Sequence, residues 1–110
     1  MTTREGLIAR LLRLPAQLQA AEEDALQATL ELAEVKAQLE ERETAMLLAG
    51  LPGKNEAERK AHLSALCRDL EEAHRRAQGR QQGAAMRLRV LMAEAGLLKA
   101  VGRLTGDDDA

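Results

Sequence analysis

The chain has 110 residues, enough for one small domain, and none of them is aromatic although 45% are hydrophobic. Leu and Ala with 31% charged residues favour helices packed side by side and exclude simple disorder. A formal net charge of −2 argues against a strongly basic nucleic-acid binder, and the single Cys67 excludes an internal disulfide framework. With no apparent membrane span or signal peptide, we expect a cytoplasmic protein without a membrane partner.

A heptad repeat dominates the first half of the chain. Apolar side chains recur at alternating spacings of three and four residues, with Arg42 as the polar exception. They are Leu7, Leu11, Leu14, Leu18, Ala21, Ala25, Ala28, Leu32, Val35, Leu39 and Met46. This first seam predicts a long helix that packs as in a coiled coil. Because Pro15 breaks or kinks a helix interior, we expect a short helix over residues 2–13 and a long helix over residues 16–48, or one longer helix that is kinked at Pro15.

Residues 49–54 have the composition of a corner between two helices. Gly50 stands where a helix C-cap glycine belongs, and Pro52 prevents the helix from continuing. Asn55 is a favourable N-cap for the next helix, and Glu58 occupies the capping-box position. The "GK" at residues 53 and 54 lacks the Gly-rich loop and the following Ser or Thr of a phosphate-binding loop. We therefore predict an antiparallel helical hairpin.

The corner carries a family resemblance. "GLPGKNEAERKAHLSAL", which follows "LELAEVKAQLEERETAMLLA", resembles small helical proteins of phages and prophages, in which a G-K-N-x-x-E-R-x-A corner joins two helices rich in Ala and Glu. The matching residues are Gly53, Lys54, Asn55, Glu58, Arg59 and Ala61. The resemblance covers about half of the chain, and it implies a genomic setting rather than an activity.

The second arm is predicted as one helix over residues 55–103, in a single domain of residues 1–106 followed by an acidic tail over 107–110. Its apolar positions change phase after Arg80, which indicates a stutter. Gly79 and Gly83 lie at the same place, so we expect either a bend near residues 79–83 or the close approach of another backbone. The seam positions are Leu63, Leu66, Leu70, Ala73, Ala77, Ala84, Leu88, Leu91, Ala95 and Leu98.

A further set of apolar residues lies off these seams, on both arms of the hairpin. A helix that is apolar on two faces usually has two neighbours. We therefore expect a homo-oligomer, a dimer or higher, that assembles into a helical bundle. The residues expected at its interface are Leu26, Leu30, Met86, Val90 and Leu97.

No catalytic, cofactor-binding or metal site is predicted, and we do not expect an enzyme. His62 and Cys67 are five residues apart, which directs them to different faces of a helix. Cys67 and His74 are seven apart, which is too distant for one metal ion without a third element. We therefore interpret Cys67 as a small apolar residue that packs near the seam.

Charge is segregated between the two arms. Residues 20–45 hold eight acids and two bases, whereas residues 75–103 hold seven bases and one acid. The opposite arms of one hairpin can neutralise each other. Alternatively, the second arm can present a cationic surface to phosphates, formed by Arg75, Arg76, Arg80, Arg87 and Arg89. We favour an oligomeric interaction or adaptor protein without an identified protein partner, and the alternative is a non-specific nucleic-acid-binding accessory protein.

Overall fold

The computed structural model describes residues 3–108, and all regular structure within them is helical. Helix α1 spans Thr3–Ala49, α2 spans Glu56–Leu66 and α3 spans Arg68–Asp108. The predicted all-α class is confirmed. The first residue of the predicted short helix, Thr2, and the last two residues of the predicted acidic tail lie outside the described residues. The first two tail residues continue α3 rather than follow it.

The helices form two compact units. One unit combines α1 up to Leu26 with α3 from Gln82 onward, and the other contains Gln27–Gln81. In the second unit, ion pairs join Glu31 to Arg80 and Arg42 to Asp69, so that α3 runs in the direction opposite to α1. This is the packing of the predicted helical hairpin.

The first seam is the buried face of α1. Leu14 and Ala21 are buried in the first unit, and Ala28 is buried in the second. The remaining seam residues are half-buried, apart from the exposed Leu11. Small residues at positions 21 and 28 leave room for a second helix to approach closely.

The predicted break at Pro15 is wrong, because α1 is a single helix that contains Pro15 in its interior. Proline removes one backbone hydrogen bond and crowds the carbonyl four residues earlier, at a cost of about 3 kcal/mol. Pro15 is exposed while its neighbour Leu14 is buried, so the disrupted turn lies on the solvent side of the helix. Burial of apolar residues on both sides of the proline favours the continuous helix.

The predicted single helix over residues 55–103 is interrupted at Cys67, not at Gly79 or Gly83. Cys67 has φ −100° and ψ 5°, outside the helical range, and it separates α2 from α3. Its N–H donates to the carbonyl of Leu63 at 3.0 Å, and its own carbonyl accepts from the N–H of Glu71 at 2.9 Å. Backbone hydrogen bonds between residues four apart therefore continue on both sides of Cys67.

The predicted stutter is also wrong. One set of buried and half-buried positions along α2 and α3 keeps a regular alternation of four and three residues, with Cys67, His74 and Gln81 in place of Leu66, Ala73 and Arg80. These positions are Leu63, Cys67, Leu70, His74, Ala77, Gln81, Ala84, Leu88, Leu91, Ala95 and Leu98. A Cβ atom at Gly79 or Gly83 would meet nothing within 4 Å, so within residues 3–108 no other backbone segment approaches closely there.

The corner has the predicted capping chemistry. Gly50 has φ 85°, and its N–H donates to the carbonyl of Leu47 at 3.3 Å. The Asn55 side chain accepts from the N–H of Glu58 at 2.8 Å, and the Glu58 carboxylate accepts from the N–H of Lys54 at the same distance. In a standard capping box the Glu58 carboxylate would accept from the N–H of the N-cap residue, Asn55. Here it accepts from the N–H of the preceding residue, Lys54.

Candidate interaction surface

An uninterrupted apolar stripe covers the exposed side of α3 in the first unit, and we call it the outer stripe. Met86 and Val90 are each 58% exposed, Leu97 is 69% exposed and Leu104 is 68% exposed. The smaller members, Ala93 and Ala100, are exposed as well. Met86, Val90 and Leu97, which were expected at an oligomer interface, therefore occupy surface positions.

The outer stripe lies on the side of α3 away from its seam. The seam residues of this unit are half-buried or buried, and they are Ala84, Leu88, Leu91, Ala95 and Leu98. At 100° per residue, the two sets are separated by about 160° around the helix axis. Contacts with α1 consequently leave the outer stripe uncovered, and a four-residue or three-residue spacing continues along its whole length.

Two predicted interface residues lie on α1. Leu26 is 62% exposed in the first unit, and Leu30 is 56% exposed in the second. They are four residues apart on the same helix, which is the spacing of neighbours along one face. Each unit therefore exposes one of the two leucines of α1 that were expected at the interface.

The five arginines of the alternative, cationic surface are divided between the two units. Arg75, Arg76 and Arg80 belong to one unit, and Arg87 and Arg89 belong to the other. All five are exposed. The Arg80 guanidinium lies 3.5 Å from the Glu31 carboxylate, whereas the other four make no ion pair within the described part of the chain.

In the ion pairs between α1 and α3, the acidic residue lies on α1 in one pair and on α3 in two others. The pair between Glu31 and Arg80 joins the acidic arm to the basic arm, as predicted. Arg42 instead supplies the base on α1, and its Nη1 lies 2.7 Å from Oδ1 of Asp69. That hydrogen bond holds the pKa of Asp69 below its ordinary value. In the other unit Arg10 pairs with Glu94. The hairpin therefore does not neutralise the acidic arm simply against the basic one.

The candidate chemical residues are dispersed. His62 is exposed, His74 is half-buried and Cys67 is fully buried. The Cys67 thiol lies 3.9 Å from the Met46 sulfur, and burial, reinforced by the negative charge of Glu43, raises the pKa of that thiol. Among the described residues, no group of three His, Cys, Asp or Glu side chains is arranged to hold a metal ion.

A groove beside the corner was not predicted. It is bounded by the end of α1 and the first turns of α2, and its lining combines leucines with three charged residues. The lining residues are Leu47, Gly50, Leu51, Glu56, Arg59, Lys60 and Leu63. The sequence signal for this groove was Leu47, a large apolar residue that falls off the first seam and is 61% exposed.

Within residues 3–108, none of the helices combines the length and apolar character needed to cross a membrane. Comparison of the chain with protein-family models, curated proteins and solved structures finds no match.

Proposed function

We propose that the chain is a non-enzymatic interaction protein, in which a helical hairpin assembles with further copies of itself and acts as an adaptor. The outer stripe is the observation that supports this role. Its large side chains are well exposed, and no polar residue interrupts it between Met86 and Leu104. Apolar surfaces of this kind on a small protein mark interaction sites. We propose a phage or prophage setting because the corner motif resembles that of small helical phage and prophage proteins.

The exposed area sets the expected strength of assembly. Complete burial of one large aliphatic side chain contributes about 1.5–3 kcal/mol, and each large residue of the outer stripe still has more than half of that to gain. Association itself costs about 4–15 kcal/mol. The outer stripe of two chains therefore supports a dimer that dissociates at low concentration.

Sedimentation over a range of protein concentrations tests this proposal. The double variant Val90→Glu with Leu97→Glu places charge on the outer stripe and should make the protein monomeric while its helix content is retained. The matched control is Met92→Glu, because Met92 is equally exposed at 58% but lies off the stripe. Assembly that survives the double variant unchanged would show that the interface lies elsewhere.

The alternative function is non-specific binding of nucleic acid through phosphates. It is favoured by the four exposed arginines that have no ion pair among the described residues, which are Arg75, Arg76, Arg87 and Arg89. Arg80 should contribute less, because Glu31 already neutralises it. The chain has no aromatic residue on which a base could stack, so any binding should show little sequence preference.

Fluorescence anisotropy with labelled single-stranded and double-stranded DNA and RNA decides between the two functions. Phosphate binding should weaken steeply as salt is raised, and it should be lost when the five arginines are replaced by serine. An absence of binding at low salt would remove nucleic acid as the partner and leave assembly as the function.

A further inference from the structure

We infer that two copies of the chain pair along the outer stripe with their α3 helices parallel and in register. This inference rests on the proposed function and adds the occupant of the surface and its orientation. The outer stripe reads as consecutive core positions of a heptad repeat: Val90, Leu97 and Leu104 are the a positions, and Met86, Ala93 and Ala100 are the d positions. Both position types are exposed in the single chain.

The charges that flank the stripe distinguish parallel from antiparallel pairing. Arg89 and Arg103 occupy g positions, and Arg87 and Glu94 occupy e positions. In a parallel pair, a g residue faces the e residue five positions later on the other helix. Arg89 then meets the partner's Glu94, and the two-fold axis creates this attraction twice.

Glu94 is suited to that contact. Its side chain is 25% exposed, and it already pairs with Arg10 of its own chain. A carboxylate has two oxygens and can accept from two guanidinium groups. The ion pair within the chain orients Glu94, and the remaining acceptor capacity is available to the partner's Arg89.

An antiparallel pair brings g positions together instead. Arg89 then lies near the partner's Arg103, and the symmetry again doubles the contact. Like charges in these flanking positions oppose association. The same apolar stripe is thus compatible with both orientations, and the flanking charges favour the parallel one.

Cysteine cross-linking measures the orientation directly. In a parallel pair, Met86→Cys should form a disulfide with the same residue of the partner under mild oxidation by oxidised glutathione. Met92→Cys is the matched control, because it is equally exposed but off the stripe and should not cross-link. The unmodified chain controls for Cys67, which is fully buried.

An equimolar mixture of Met86→Cys and Leu104→Cys separates the outcomes by mass spectrometry. Disulfides between like variants support the parallel pair, whereas a disulfide between the two different variants requires the antiparallel pair and overturns the inference while the proposed function stands. If neither product forms, the outer stripe is not the contact, and the location proposed for the interface fails with it.

Reversing the charge of Arg89 should change the dimerisation affinity in opposite directions for the two orientations. Arg89→Glu replaces attraction by repulsion in the parallel pair and should weaken dimerisation about fivefold, since two exposed ion pairs are affected. In the antiparallel pair the same change would create an attraction to the partner's Arg103 and strengthen dimerisation. Arg87→Glu is the control, because its parallel neighbour, the partner's Gln82, is uncharged.

Discussion

Replacing the two glycines in the interior of α3 should stabilise the protein. Gly79 and Gly83 are helical, and a Cβ atom at either position would meet nothing within 4 Å. Glycine in a helix interior is less favourable than alanine by about 1 kcal/mol, because the unfolded chain gains more conformational freedom. Gly79→Ala and Gly83→Ala should therefore each raise the free energy of unfolding by about 1 kcal/mol.

Thermal unfolding followed by far-UV circular dichroism measures this effect. For a domain of this size, 1 kcal/mol corresponds to a rise of about 4–8 °C in Tm. Because assembly also raises Tm through mass action, each variant should be compared with the parent at matched concentrations, one low and one high. The increase should appear at both concentrations.

A fall in Tm would refute this reasoning, and its concentration dependence would identify the error. A fall at low concentration would mean that a group of the same chain packs against the glycines. A fall confined to high concentration would mean that another copy approaches there, since Gly79 and Gly83 continue the spacing of the outer stripe beyond Met86.

Three further changes test the corner, the helix break and the ion pair. Gly53→Ala should destabilise by about 1–3 kcal/mol in chemical denaturation, because Gly53 has φ 148° and its Cβ would lie 3.0 Å from Cγ of Arg59. Cys67→Ser should cost about 1–3 kcal/mol in the same assay, because it buries a hydroxyl in place of a thiol that contacts another sulfur. Asp69→Asn should remove stability at neutral pH and little at low pH. A lowered folded-state pKa stabilises above the unfolded value near 4, and that contribution disappears as pH falls through the folded pKa.

The first seam and the corner were predictable because each depends on local rules. The spacing of apolar residues along α1 fixes which face is buried, whatever the partner helix is. Gly50, Asn55 and Glu58 satisfy backbone groups within a few residues of themselves. The exposure of Met86, Val90 and Leu97 followed in the same way, since they lie off the seam of their own helix.

The errors have a different origin, in the competition between local preference and packing. The unfavourable local effect of Pro15 is opposed by burial of Leu14 and Ala21 in the same helix. Leu66 and Cys67 are both apolar, and Arg80 and Gln81 are both polar, so composition does not distinguish the two registers at these positions. At the third position composition favours the apolar Ala73, although His74 is half-buried as well. The register follows from the break at Cys67, whose thiol is buried next to Met46.

Ion pairs within the chain do not fully explain why the second arm is basic. Pairing within the hairpin neutralises Arg80 through Glu31, but it also uses Arg10 and Arg42 of α1 in the opposite sense. Internal neutralisation therefore does not require a basic second arm. Arg89 makes no ion pair within the described part of the chain, and it flanks the outer stripe rather than the seam. A positive charge at that position has a role if it faces a second molecule, where it would select the orientation of an otherwise non-directional apolar contact.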